Sequence, residues 1–168
     1  MATKAAKTPR AAKNAPASKA DQPVTRARLI ELLNEDLARE YQAIIAYVVY
    51  SQVIKGARFM SIAKDLEVHA GEELRHALTI SKMVDYLGGT PTVVADAVKM
   101  SDKPEDLLQF DLDNETATIR EYRNRVAQCE ALGEYAISGH IREILKDEQE
   151  HAIDLATALG KDVPKMGV

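Results

Sequence analysis

Residues 33–47, LNEDLAREYQAIIAY, and residues 108–122, LQFDLDNETATIREY, are two versions of one pattern. At an offset of 75, Leu33, Asp36, Leu37, Glu40, Ile44 and Tyr47 fall on Leu108, Asp111, Leu112, Glu115, Ile119 and Tyr122. The same offset carries Glu72, Glu73, His76 and Ala77 onto Asp147, Glu148, His151 and Ala152. The chain therefore encodes the same unit twice. Steps of three and four between the apolar positions are the period of a helix with one buried face.

Working outward from these stretches, the periodicity predicts four helices. The first runs from about Thr25, as N-cap, to Ile54, with Gly56 as its stop. The second runs from about Arg58 to Leu87 and ends at Gly88, Gly89 and Pro91. The third begins near Asp102, with Glu105 three residues on as in a capping box and Pro104 in the first turn. Gly133 separates it from the fourth, which reaches about Leu159 before Gly160. Short links make each pair an antiparallel hairpin. The longer link, Gly88 to Ser101, can span the bundle, and a short helix is expected at Val93–Lys99 within it. Two hairpins joined by one long crossover make an all-α, antiparallel four-helix bundle of the ferritin-like kind. The expected organisation is a tail at 1–22, the bundle at 23–160 and a short C-terminal tail at 161–168.

The apolar stripes contain acids. The first and third carry Glu40 and Glu115; the second and fourth carry Glu73 with His76 and Glu148 with His151. A carboxylate in an apolar core costs several kcal/mol to desolvate unless a partner compensates. Four converging carboxylates need cations, and two divalent metals would balance their charge. Glu and His three apart share a helix face, so each Glu-x-x-His can reach the same metal pair. One such motif means little. Two, each preceded by a Glu at 33 residues' distance, form the donor set of a dinuclear carboxylate bundle.

The segments LLNEDLAREYQAIIAY, EELRHA, LDNETATIREY and EILKDEQEHA resemble bacterioferritin and the bacterioferritin-like (Dps-like) miniferritins over about residues 26–160. The resemblance implies a ferroxidase centre with two iron ions per subunit. Glu40 and Glu115 would be terminal ligands, Glu73 and Glu148 bridges, and His76 and His151 would complete one iron each. It implies oxidation of Fe(II) by O2 or H2O2 and storage of ferric mineral in an oligomeric shell. Oxygen and imidazole donors suit manganese as well. A di-iron or di-manganese peroxidase or catalase without storage is the competing reading. A rubredoxin-type partner domain is unsupported, because Cys129 is the lone cysteine.

Around the six donors, Asp36 and Asp111 are expected to accept hydrogen bonds from the histidines' second nitrogens. Tyr47 and Tyr122 either bond the bridging carboxylates or are core aromatics. His69, on the stripe of Glu73 and His76, is either an auxiliary ligand or iron-path residue, or a satisfied core or surface histidine. The methionine that holds haem in many bacterioferritins would follow Glu73, where this chain has Leu74, so no haem is expected. The nine residues after Leu159 are too few for a substantial fifth helix, which favours twelve subunits over twenty-four.

Charge divides the chain. Residues 1–20 hold Lys4, Lys7, Arg10, Lys13 and Lys19 and no acid, whereas the whole carries −4. This Ala-, Lys- and Pro-rich segment cannot bury enough apolar surface to order itself, so disorder is expected. Its composition resembles the Lys-rich arms of some Dps proteins, which implies non-specific DNA binding; a solubilising tail or a targeting segment is the alternative. No apolar run is long enough for a membrane span or a secretory signal, and a single cysteine suits a reducing compartment. A cytoplasmic protein is expected, nucleoid-associated if the arm binds DNA.

Overall fold

The computed structural model describes residues 24–165. They form α1 (Arg26–Val53), α2 (Met60–Tyr86), α3 (Pro104–Ala131) and α4 (Tyr135–Ala158), with a 3-10 turn, Ala57–Phe59, before α2. Among the described residues there is no strand. Thr25 caps α1 as its sequence suggests, its Oγ1 accepting from the Arg28 amide at 3.1 Å. Gly133, at φ 75°, takes the left-handed conformation that lets α3 stop and α4 begin within a few residues. The cap expected at Asp102 does not form. Lys103 occupies the N-cap, Ser101 Oγ accepts from the Lys103 amide, and Glu105 pairs with Arg58 of the α1–α2 turn.

The link between the hairpins is an extended strap. Residues 89–101 contain no helix, so the short helix expected at Val93–Lys99 is corrected. Its backbone is bonded by α1 instead. Asn34 Nδ2 donates to Thr90 O at 3.1 Å and its Oδ1 accepts from Thr92 N at 2.7 Å. Ala38 O accepts from Asp96 N at 3.1 Å, Gln42 Nε2 donates to Ala97 O at 2.8 Å, and the Tyr50 hydroxyl donates to Lys99 O. Asn34, Gln42 and Tyr50 are eight residues apart, a little over two turns, so each is turned by about 80° from the one before and the strap winds around α1 as it rises. The strap thus rises parallel to α1 and delivers α3 beside the C-terminal end of α1. Consequently α3 runs antiparallel to α1. The Arg26–Glu134 pair, at 2.9 Å, ties the start of α1 to the α3–α4 turn and agrees with that direction.

On the helix faces that carry the acids, Leu33, Leu37, Leu66, Ile80, Leu108, Leu112, Ile119, Ile141, Ile144 and Leu155 are buried and Ile44 is half-buried. The core has two apolar halves. One gathers Leu29, Leu33, Leu37, Ile80, Ile141 and Ile144; the other gathers Ile62, Leu66, Leu108, Leu112, Ile119 and Leu155. The repeat maps Leu33, Leu37 and Ile80 of the first onto Leu108, Leu112 and Leu155 of the second. The acids lie between the halves.

Candidate metal centre

Glu40, Glu73, Glu115, Glu148, His76 and His151 converge at the middle of the bundle, each no more than 3 % exposed. On α1, α2 and α4 the polar residues sit where the stripe passes from one apolar half to the other, whereas Glu115 of α3 lies between Leu112 and Ile119 of the second half. Two groups result: Glu40, Glu73, His76 and Glu148, and Glu73, Glu115, Glu148 and His151. Within each, donor atoms lie within 4.8 Å of one another. Glu73 and Glu148 belong to both. His76 Nδ1 is 3.4, 3.3 and 3.4 Å from the carboxylates of Glu40, Glu73 and Glu148. His151 Nδ1 is 3.0, 3.8 and 3.5 Å from those of Glu73, Glu115 and Glu148.

The electrostatics are those of a donor set wanting cations. Burial, with Glu40 nearby, pushes the Glu73 carboxyl up to about 8. Burial, with Glu148 nearby, raises Glu115 well above the usual range. Burial would raise Glu40, but His76, Glu73 and the Tyr122 hydroxyl close around its carboxylate outweigh this and hold it low. Burial would lower both histidines, but the surrounding carboxylates prevail and raise them, His151 to about 12. Glu40 Oε2, Glu73 Oε1, Glu148 Oε1 and His151 Nδ1 are buried without a hydrogen-bond partner. Buried polar atoms are seldom left so, and here they cluster where an ion would sit. Oxygen and imidazole donors in these two groups fit a pair of iron or manganese ions.

The histidines' outer nitrogens are not held by Asp36 and Asp111. His76 Nε2 lies 3.2 Å from Asp147, and His151 Nε2 lies 3.0 Å from Glu72. Each acid sits on the neighbouring one of α2 and α4, one residue before that helix's core glutamate. The expectation fails because Asp36 and Asp111 lie one turn away, on α1 and α3. Asp36 is buried and takes two bonds from Arg125, at 2.6 and 3.0 Å, plus one from Arg39. Asp111 is 2 % exposed, has no partner for Oδ2, and burial raises it well above the usual range. The tyrosines are polar participants, but with different partners from those expected. Tyr47 on α1 donates to Glu115 on α3, and Tyr122 on α3 donates to Glu40 on α1. A mouth of about 40 Å³ opens beside the carboxylates between α1 and α3, with Arg39 and Asn114 on its rim.

This doubled donor set within four helices agrees with a sequence-wide match: the model for the ferritin-like domain covers residues 30–163. The chain belongs to the ferritin family. Within it, the chain is 27 % identical to the bacterioferritin of Desulfovibrio desulfuricans over 75 % of this chain and 71 % of that one. Among solved structures it resembles a ferritin-like di-iron carboxylate protein from Bacillus anthracis (TM-score 0.77, 31 % identity). That match covers 80 % of this chain and 96 % of that one. It also resembles the dodecameric thioferritin related to bacterioferritin from Bacteroides fragilis (TM-score 0.76, 25 % identity), over 82 % of this chain and 88 % of that one.

Sequence reasoning missed the roles of Glu72, Asp147 and Arg125. Glu72 and Asp147 left a signal, since they are acids at matching places in the repeat. Arg125 left none, because the repeat puts Tyr50 opposite it. Leu74 is 52 % exposed, and His140 lies on the surface. Cys129 is buried, and burial pushes its thiol up to about 11. The basic residues Lys4, Lys7, Arg10, Lys13 and Lys19 lie outside the described residues. No described helix is long and apolar enough to cross a membrane.

Proposed function

We propose that this ferritin-family chain is a ferroxidase: it oxidises Fe(II) with O2 or H2O2 at a dinuclear site within one subunit. Copies of the chain then store the ferric product in a shared shell. The observation that carries the reading is the pair of donor groups sharing Glu73 and Glu148. Glu40 and His76 would hold one iron and Glu115 and His151 the other, with Glu73 and Glu148 in reach of both. Two adjacent metals supply two electrons together to the oxidant. Asp147 and Glu72 hold the outer nitrogens of His76 and His151 and so fix each ring toward the site. Tyr122 and Tyr47 hold the carboxylates of Glu40 and Glu115 in place.

The same donors accommodate manganese. Leu74 has no thioether with which to ligate haem, so the dinuclear site works without it. Twelve subunits are favoured, in keeping with the dodecameric relative. The basic segment 1–20 is assigned to DNA phosphates, and the compartment to the cytoplasm.

Anaerobic addition of Fe(II), followed by air or peroxide, tests the oxidation. Uptake far beyond two irons per chain is expected, with Glu73→Ala and Glu148→Ala slowing oxidation at least about tenfold. A small oligomer holding two metals, with no further uptake, would favour the peroxidase or catalase reading. Gel retardation of DNA should weaken on deletion of residues 1–20; equal retardation removes the DNA assignment.

A further inference from the structure

We propose that the mouth between α1 and α3 binds a small inorganic anion, the class that includes hydroperoxide and azide, and that Arg39 is the residue that selects it. That the natural ligand is the oxidant rests on the ferroxidase reading. The mouth, of about 40 Å³, has the carboxylates of Glu40, Glu73, Glu115 and Glu148 as its floor. Its rim is Arg39, Gln42 and Ala43 from α1 and Asn114, Ala117 and Thr118 from α3. Apart from the floor, no acid lines it.

Arg39 has donors in excess of its partners. Among the described residues its one ion partner is Asp36, which is buried and already takes two bonds from Arg125, at 2.6 and 3.0 Å. Two guanidiniums thus share one carboxylate, and one positive charge is left without a match in the trio. Arg39 Nε is buried without a hydrogen-bond partner, a state that buried donors seldom keep. Gln42 is engaged by Ala97 O at 2.8 Å, so recognition falls to Arg39, with the Asn114 amide and the Thr118 hydroxyl on the opposite wall. A guanidinium offers its N–H groups as a planar fork, which suits an acceptor-only ligand.

The repeat shows that the fold does not require this cation. At the offset of 75, Arg39, Gln42 and Ala43 fall on Asn114, Ala117 and Thr118, so the two walls of the mouth are repeat-related. A neutral asparagine fills the matching place, and the guanidinium is an addition to one wall alone. Size points the same way. At about 10–15 Å³ for each water, the mouth of about 40 Å³ holds roughly three of them. A ligand of two or three atoms fits, whereas a divalent cation with its shell of water does not. The pocket on the α2–α4 face is the reverse, lined by acids and by no lysine or arginine. The two sides of the dinuclear donors therefore draw ligands of opposite charge.

The test uses the full chain loaded with zinc(II), which is redox-silent, and sodium azide as the anion. Calorimetry measures the affinity, and azide-soaked crystals locate the ligand. Azide is expected within hydrogen-bond reach of the Arg39 guanidinium, with Arg39→Gln weakening it at least about tenfold. Arg39→Lys keeps the charge and loses the fork, so its affinity should fall between the two. Arg39 is 23 % exposed and Asp36 retains Arg125 in both variants, so the α1–α3 contact survives the change. With Fe(II) as substrate, Arg39→Gln should raise the KM for H2O2 at least about tenfold and change kcat less. Azide on zinc alone, with equal affinity in Arg39→Gln, overturns the proposal; so does a KM for H2O2 that Arg39→Gln leaves unchanged. Absence of zinc from the six donors, with azide still held by Arg39, overturns the ferroxidase reading and not the anion site.

Discussion

Arg125 shows how much one residue departs from the repeat that surrounds it. Its guanidinium is 1 % exposed and neutralises Asp36, whereas among the described residues the matching Asp111 faces no such cation. Removing one partner of a buried pair leaves an uncompensated charge. Arg125→Met is expected to destabilise the chain by about 3 kcal/mol, read as a lower urea midpoint. Arg125→Met with Asp36→Leu should recover most of that loss. Protonation provides a second expectation. Without metal, Glu73 (about 8) and His151 (about 12) hold protons at neutral pH, because their values are raised. A divalent ion must displace those protons, so affinity should rise with pH between about 6 and 8, roughly tenfold per unit for each proton released. Calorimetry in buffers of different ionisation enthalpy measures the release. An affinity that does not change with pH would sink this account. The six donors were readable in the sequence because a buried acid is costly and recurs at a fixed offset. The acids that orient the histidines were not, since only the packing of α2 on α4 brings Asp147 to His76.

At the scale of the element, all four helices were legible from their period, to within a few residues at the ends. The strap was not. Its Val93, Val94 and Val98 can be read as one helix face, but the backbone finds better partners on α1. Asn34 and Gln42 satisfy three of its polar groups. Asn34→Ala with Gln42→Ala is expected to cost about 1 kcal/mol per lost bond and to speed amide exchange at Thr92 and its neighbours. Unchanged exchange there would show that the side chains do not hold the strap. Nothing local to residues 90–99 foretells this, since the bonding partners lie some 56 residues earlier.

At the scale of the molecule, the described residues leave apolar surface uncovered. Ile45 and Val48 on α1, with Val93 and Val94 on the strap, are 46, 52, 93 and 66 % exposed. A single chain seldom leaves such neighbours to water, and burial between copies stabilises by about 25 cal/mol per Å2. Sedimentation should therefore show a discrete assembly of the wild type. Val93→Asp with Val94→Asp should shift it to smaller species with unchanged helicity. Assembly unaffected by the pair would place the interface elsewhere.

The sequence by itself determined the four helices, their pairing into hairpins and the convergence of four buried glutamates and two histidines. Those follow from local period and from the cost of burying charge, repeated at a fixed offset. Only the tertiary structure decided which acid meets which histidine, and that Tyr47 and Tyr122 cross over to Glu115 and Glu40. It also decided that Arg125 takes Asp36, and that the crossover lies extended along α1. These are contacts between elements far apart in the chain, and their geometry depends on how the helices pack.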